Sequence, residues 1–229
     1  MRKIVIFSGA GVSAESGIAT FRDSNGLWEN YSIEKVATPE AWRKNKELVQ
    51  SFYNARREHI ANAQPNKAHS LIAALESNNE VTIITQNIDD LHERAGSSNV
   101  FHLHGNIRLA KSSGPKAEAR YYPIVGNKLD VTTDLCEDGF PLRPHVVWFG
   151  EAVPMYEHVI PIIENADLFI VIGTSLNVYP AAGLINYCNP NCQRFVIDPK
   201  ADTLSIPNDF EHIQSNAIAG MEELIQKFL

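Results

Sequence analysis

The residues of this 229-residue chain with the types and spacing for chemistry begin at Gly9-Ala10-Gly11-Val12-Ser13-Ala14. The apolar run Lys3-Ile4-Val5-Ile6-Phe7 before them reads as a buried strand. The glycines let the chain turn tightly, so that the next helix aims its first amides at a pyrophosphate. Ser13, at the start of that helix, can cap it or bind a phosphate oxygen. A bare Gly-x-Gly-x-x-Ala is as often a plain turn as a dinucleotide site. The hydride-transfer version places an acidic residue about 20 residues further on, at the end of a second strand. It is missing here: the chain runs through Phe21-Arg22-Asp23 and a polar, helical stretch before the next convincing strand, Val81-Thr82-Ile83-Ile84-Thr85.

At that strand end stands Thr85-Gln86-Asn87-Ile88-Asp89, an amide and carboxylate cluster. His104-Gly105 follows the strand-like Val100-Phe101-His102-Leu103, and Gly173-Thr174-Ser175 follows Leu168-Phe169-Ile170-Val171-Ile172. A histidine of near-neutral pKa suits a general base. A lone histidine more often caps a strand end, and the chain has eight of them.

Taken in order, Gly-Ala-Gly-x-Ser-x-x-Ser-Gly-Ile with Phe-Arg, then Thr-Gln-Asn-Ile-Asp, His-Gly and Gly-Thr-Ser resemble the sirtuin family of NAD-dependent protein lysine deacylases, from Ile4 to the last helix. The resemblance implies NAD as co-substrate and His104, Asn87 and Asp89 as catalytic residues. Asn87 and Asp89 would line the nicotinamide pocket, and His104 would take a proton from a ribose hydroxyl. Gly9, Ala10, Gly11, Ser13, Ile18, Thr20 and Trp28 would border the cofactor. Gln86 and Arg22 would position its ribose and phosphates, Ile88 would lie beside them, and Phe21 would shield the reacting carbon. Gly173, Thr174 and Ser175 would take ribose or phosphate at a strand's carboxyl end, where open α/β sheets bind ligands. Asp198 stands where the family has an Asn-x-Glu-like adenosine contact, a departure, and Ala217 matches a position near adenine. His69 and His145 match positions taken as structural.

On the substrate side, Arg143-Pro144-His145-Val146-Val147-Trp148-Phe149-Gly150-Glu151 resembles the segment that holds the substrate peptide as an added strand, through backbone pairing. Val147 and Trp148 would line the acyl-lysine tunnel, with Phe149 and Gly150 beside it. Tyr53 and Arg56 are three apart on a helix and share a face. In the subfamily that removes acidic acyl groups a Tyr-x-x-Arg pair binds the substrate carboxylate, to which a guanidinium offers a fork of donors. Spacing alone favours Tyr53 in the core and Arg56 on a solvated face, and the subfamily match reverses that preference. Arg57 is assigned to the surface. The function implied is removal of acetyl and succinyl or malonyl groups from lysine, giving nicotinamide and O-acyl-ADP-ribose. ADP-ribosyl transfer, NAD hydrolysis and non-catalytic sensing of NAD or acyl-lysine are the alternatives; retention of His104 favours deacylation.

The elements that must position these residues follow from the apolar runs. Strands near 3–7, 81–85, 100–103, 145–148, 168–172 and 194–198, separated by helices, predict a doubly wound, Rossmann-like α/β fold with a mainly parallel sheet. Its core would comprise about 1–29, 67–106 and 143–229. Two excursions, 30–66, mostly helix, and 107–142, rich in Gly, Pro, Lys and Asp, would form a smaller inserted domain. Thr38-Pro39-Glu40 is a helix start, with Pro in the first turn, and the helix is expected to run on through Tyr53. The family's small domain usually holds zinc on two cysteine pairs. Here 107–142 contains only Cys136, while Cys188 and Cys192 lie beyond, so zinc is not expected. Packing of Tyr121, Tyr122, Ile124 and Val131 would replace it. The net charge of −7 argues against a general nucleic-acid binder. No apolar stretch of about 20 residues suggests a membrane span. A cytoplasmic monomer acting on acyl-lysine proteins or peptides is the expectation.

Overall fold

The computed structural model describes residues 1–19 and 31–228. Six strands form one sheet: β1 (Lys3–Ser8), β2 (Glu80–Thr85), β3 (Val100–His102), β7 (Leu168–Ile172), β8 (Gln193–Ile197) and β9 (Glu211–Ile213). Their order is β3-β2-β1-β7-β8-β9, with every pair parallel. Parallel strands covered on both faces read as unbroken apolar runs, and every residue of β7 and all but the first of β1 and β2 are buried. Side chains alternate between the faces. Ile4, Ile6, Ile83 and Ile170 pack under α5 (Lys67–Ala74) and α8 (Ala217–Phe228). Val5, Phe7, Ile84 and Val171 pack under α7 (Tyr156–Glu164) and the 3₁₀ segment Ala181–Tyr187. Burying each such side chain is worth about 1.5–3 kcal/mol.

The expected strand near 145–148 is displaced in both position and sheet. The strand is β6 (Leu142–Val146), which pairs antiparallel with β4 (Gly105–Ser112); β4 also pairs with β5 (Tyr121–Pro123). The sixth place in the parallel sheet goes to β9 at its edge. Residues 107–142, expected as an irregular excursion, therefore begin in a strand, and that strand turns away from the large sheet at Gly105. Gly105 has φ +84°, and a Cβ there would lie 2.1 Å from the His145 carbonyl oxygen, so only glycine lets β4 approach β6 this closely.

Of the expected packing residues in this region, Ile124 is buried with Ala110, Leu129, Cys136 and Leu142, and Tyr122 covers them. Tyr121 stacks on His145 with ring centroids 4.0 Å apart. Val131 packs instead against the helical cluster described next. Buried Lys111 pairs with Glu118, which also accepts the Tyr121 hydroxyl at 2.7 Å.

Between residues 31 and 66 lie α2 (Ile33–Val36), α3 (Pro39–Lys44) and α4 (Lys46–Asn62). Thr38 caps α3 by accepting the Ala41 amide at 3.0 Å, with Pro39 in the first turn. The single long helix expected from that start is broken at Asn45, whose ψ of 86° leaves the helical region. Its carboxamide oxygen then caps α4 by accepting the Leu48 amide at 2.9 Å. Tyr53 and Arg56 thus ride on a second helix.

Arg57, assigned to the surface from sequence, is 0% exposed. It lies four residues after Tyr53 and so shares the inward face. Its Nε donates to the Ile107 carbonyl at 2.9 Å, and a terminal nitrogen donates to Asn54 Oδ1 at 2.8 Å and the Asn127 carbonyl at 3.2 Å. Burial, with Arg108 nearby, pulls its pKa down to about 10, so it stays charged at neutral pH and ties α4 to β4.

Candidate active site

The strand order runs outward from β1 in one direction and resumes beside it with β7, which opens a crevice at the carboxyl ends of those two strands. The turns after them are in contact: the Gly9 amide donates to the Ile172 carbonyl at 3.0 Å and the Gly11 amide to the Gly173 carbonyl at 2.8 Å. A Cβ on Gly11 would meet Gly173 Cα at 2.7 Å. Here α1 (Gly11–Ala14) is a single turn, with Ala10 as its N-cap and no side-chain cap. Ser13 therefore does not cap it. Ser13 Oγ donates to Asp89 Oδ2 at 3.1 Å and accepts from Asn87 Nδ2 at 3.2 Å. Ile18 is buried in the helical cluster with Trp148. Thr20, Phe21, Arg22 and Trp28 lie outside the described residues.

The segment after β2 brings Gln86, Asn87 and Asp89 to the same crevice. Gln86 Nε2 donates to Thr174 Oγ1 at 2.9 Å, and Asn87 Nδ2 donates to the Gly9 carbonyl at 3.2 Å. Asn87 and Asp89 are buried. Burial pushes the Asp89 carboxyl up, while the Leu91 amide, Ser13 and the charge of His102 hold it down. Three consecutive carbonyls of this segment are held from the β3–β4 side. Gln86 accepts from His104 Nδ1 at 3.0 Å, Asn87 from His102 Nδ1 at 2.8 Å, and Ile88 from the Ile107 amide at 2.8 Å.

A carbonyl oxygen can only accept, so His104 carries its proton on Nδ1 and keeps the Nε2 lone pair free. Burial lowers its pKa, opposed by the bond to Gln86, so the ring is neutral at pH 7. The other histidines differ. His69 Nδ1 accepts the Asn66 amide at 3.3 Å in a capping box, and His145 Nδ1 accepts the Asn106 amide at 3.4 Å.

Tyr53 on α4 and Trp148 in the loop after β6 meet directly. Trp148 Nε1 donates to the Tyr53 hydroxyl at 3.1 Å, and both rings are buried. Burial raises the Tyr53 pKa to about 12, so the phenol stays neutral. Arg56 is half-buried. Burial lowers its pKa, while Tyr53 and the carboxylate of Asp89 support its charge. The loop after β6 is fixed from below: Arg143 chelates Glu151 at 2.7 and 2.9 Å, and its guanidinium carbon sits 3.4 Å from the Trp148 ring centroid. Glu151 in turn accepts the Trp148 amide at 2.8 Å, and the Val147 amide donates to the His104 carbonyl at 2.9 Å. Phe149 and Gly150 are exposed at the loop tip. The Arg143–Glu151 clamp was given no role from sequence; opposite charges flanking a short apolar turn were its signal.

Ser175 is half-buried beside Thr174, at the crevice. Asp198, at the end of β8, spends one oxygen on the Lys200 amide at 2.8 Å, and Ala217 opens α8, buried against the sheet.

Residues 9–180 match the Sir2 family model. The chain belongs to the Sir2 family. An NAD-dependent protein deacylase of Bacteroides thetaiotaomicron is 47% identical, over 99% of this chain and 97% of its own. A mutant Sir2 homologue solved with ADP-ribose superposes with a TM-score of 0.88 at 39% identity, covering 97% of this chain and 90% of that one. Another, solved with 2'-O-acetyl ADP-ribose, gives a TM-score of 0.82 at 38% identity, over 97% and 90% of the two chains.

This Sir2 chain's crevice suits NAD on its own chemistry. The Gly11–Gly173 approach leaves backbone rather than side chains at the switch point, with the hydroxyl and amide groups of Ser13, Gln86, Asn87 and Thr174 hydrogen-bonded beside it. A metal is a different matter. Among the described residues no group of three or more His, Cys, Asp or Glu side chains is arranged to hold one. Cys136 Sγ lies 3.3 Å from Ser112 Oγ, and Cys188 and Cys192 precede β8. Among the same residues no helix is long and apolar enough to cross a membrane.

Proposed function

We propose that this Sir2-family chain is an NAD-dependent protein lysine deacylase that removes acetyl and, through Tyr53 and Arg56, succinyl or malonyl groups. The observation that carries the reading is His104, a neutral imidazole with Nδ1 committed to Gln86 and Nε2 free, flanked by the Asn87–Asp89 segment and the Tyr53–Trp148 pair. When bound, NAD supplies an electrophilic ribose carbon with nicotinamide as leaving group. The chain's residues do the rest. Asn87 and Asp89, fixed by Ser13 and Gly9, bind and orient the nicotinamide end. Gly9, Ala10, Gly11, Gln86, Thr174 and Ser175 seat phosphates and ribose, and Asp198 and Ala217 flank adenosine. Phe21 and Arg22 retain the roles that the family resemblance implies. Val147, Trp148, Phe149 and Gly150 border the acyl-lysine, Trp148 excludes water, and His104 Nε2 takes a proton from a ribose hydroxyl. Arg56, a partly desolvated guanidinium, offers a charge-assisted bond to a substrate carboxylate.

Turnover of matched acetyl-lysine and succinyl-lysine peptides, with and without NAD, tests this. NAD-dependent loss of both acyl groups is expected. NAD consumption without peptide deacylation would move the reading to ADP-ribosyl transfer or NAD hydrolysis, and NAD binding without turnover to a sensor.

The reading extends to the small antiparallel sheet, which packing holds without zinc: residues 107–142 carry one cysteine and no histidine. Protein purified without added zinc should carry far less than one equivalent by elemental analysis, and should keep its melting temperature in a chelator. One zinc per chain would contradict this. A cytoplasmic monomer with acylated proteins as partners, and neither nucleic acid nor membrane, completes the proposal.

A further inference from the structure

His102 stands two residues before His104, at the end of β3. Its surroundings are those of a working group. Nδ1 lies 2.8 Å from the Asn87 carbonyl oxygen and Nε2 lies 2.7 Å from Glu93 Oε1, on α6 (Leu91–Arg94). Neither partner can donate, a carbonyl by its chemistry and a carboxylate by its charge, so both ring nitrogens must carry protons. The Asn106 carboxamide nitrogen, 3.3 Å from Nε2, is the longer contact and yields to the carboxylate. The ring side chain is 9% exposed.

We propose that His102, as an imidazolium clamped by Glu93, is a positioning residue for the nicotinamide segment: it fixes the Asn87 carbonyl and thereby the Asn87 and Asp89 side chains. This rests on the reading of residues 86–89 as the nicotinamide pocket. Asn87 is pinned at three other points, its amide to Thr85 Oγ1 at 3.0 Å and its side chain to Gly9 and Ser13, each at 3.2 Å. The carbonyl is the residue's remaining backbone polar group, and rotation of that peptide would swing Ile88 and Asp89 out of register. A cation at this place also opposes the upward push of burial on the Asp89 carboxyl. His104 holds the preceding carbonyl, so two histidines on one short segment divide the work: one orients the pocket, and the other keeps a free nitrogen for the substrate.

The charged groups facing His102 agree in sign. Burial opposes its charge, and the hydrogen bond and charge of Glu93, the Asn87 carbonyl and Asp89 outweigh it, raising the pKa above 6.5. His92 on α6 and His145 on β6 also face it. Burial holds His92 well below the usual range and His145 at about 4, so neither competes as a cation near neutral pH. A raised pKa means the clamp is complete below it, and one of its two bonds is lost as pH rises through it.

The test compares wild type with His102→Leu, which removes both bonds, with His102→Gln, which restores a donor toward Asn87, and with Glu93→Gln, which keeps an acceptor but removes the charge. For His102→Leu, kcat and NAD affinity should fall, and nicotinamide inhibition should weaken, by about ten- to a hundredfold, while the peptide KM stays within about twofold. His102→Gln should recover part of that loss. Glu93→Gln should stay close to wild type at low pH and lose activity at lower pH than wild type on the alkaline side. Wild-type kcat, NAD affinity and nicotinamide inhibition in His102→Leu would overturn the proposal. So would a loss carried equally by kcat and peptide KM with no recovery in His102→Gln. A wild type that binds NAD without deacylating would count against the functional reading, and the NAD affinities of the variants would still decide the role of His102.

Discussion

His104→Ala is expected to lower deacylation by about 10²–10⁴-fold and to leave NAD binding within about twofold, because a positioned general base contributes that much to rate and little to ground-state affinity. The imidazole is well placed for the role. Its Nδ1 proton is committed to the Gln86 carbonyl at 3.0 Å, which fixes the tautomer and leaves the Nε2 lone pair free. The pH dependence follows in sign. Burial lowers the His104 pKa below the usual 6.5, so the acid limb of kcat should lie below that value and the base should be fully available at neutral pH. Single-turnover deacylation alongside an NAD-binding titration checks both parts. Retained deacylation in His104→Ala would assign the base elsewhere, and lost NAD binding would make His104 a scaffold residue.

Arg56→Met should cost desuccinylation about ten- to a hundredfold more than deacetylation, the range for a charged hydrogen bond removed from a partly buried site. The neutral substrate has no carboxylate to lose, and methionine keeps the length and apolar stem of the side chain. Tyr53→Phe should discriminate in the same direction but less strongly, since the phenol is a neutral donor that also accepts from Trp148 at 3.1 Å. Ratios of kcat/KM on matched peptides read this directly. An equal fall on both peptides would make Arg56 a structural part of α4, as Arg57 is.

The parallel sheet was legible because β1, β2 and β7 are apolar at nearly every position, the mark of strands covered on both faces. The crevice was legible because its glycines and amides fall at their carboxyl ends. β9 was not, since the edge triplet Glu211-His212-Ile213 buries only its last residue. β4 was hidden for another reason: Lys111 and Ser112 are polar yet buried, satisfied by Glu118 and by Cys136, partners that lie 7 and 24 residues away and carry no local signal. The break at Asn45 has neither Gly nor Pro to announce it. For Arg57 the signal was present, because a residue four positions after an inward Tyr53 must face inward as well. Two adjacent arginines, one half-buried and one fully buried and tied to β4, differ only by the 100° that separates neighbours on a helix.

The central claim is that this crevice transfers a lysine's acyl group to the ribose of NAD. The most direct measurement follows NAD, deacylated peptide and O-acyl-ADP-ribose together by mass spectrometry in one reaction. Consumption of NAD with deacylated peptide and O-acyl-ADP-ribose formed in equal amounts is the result this account expects. Free carboxylic acid released without NAD loss, or NAD consumed with the peptide still acylated, would contradict it.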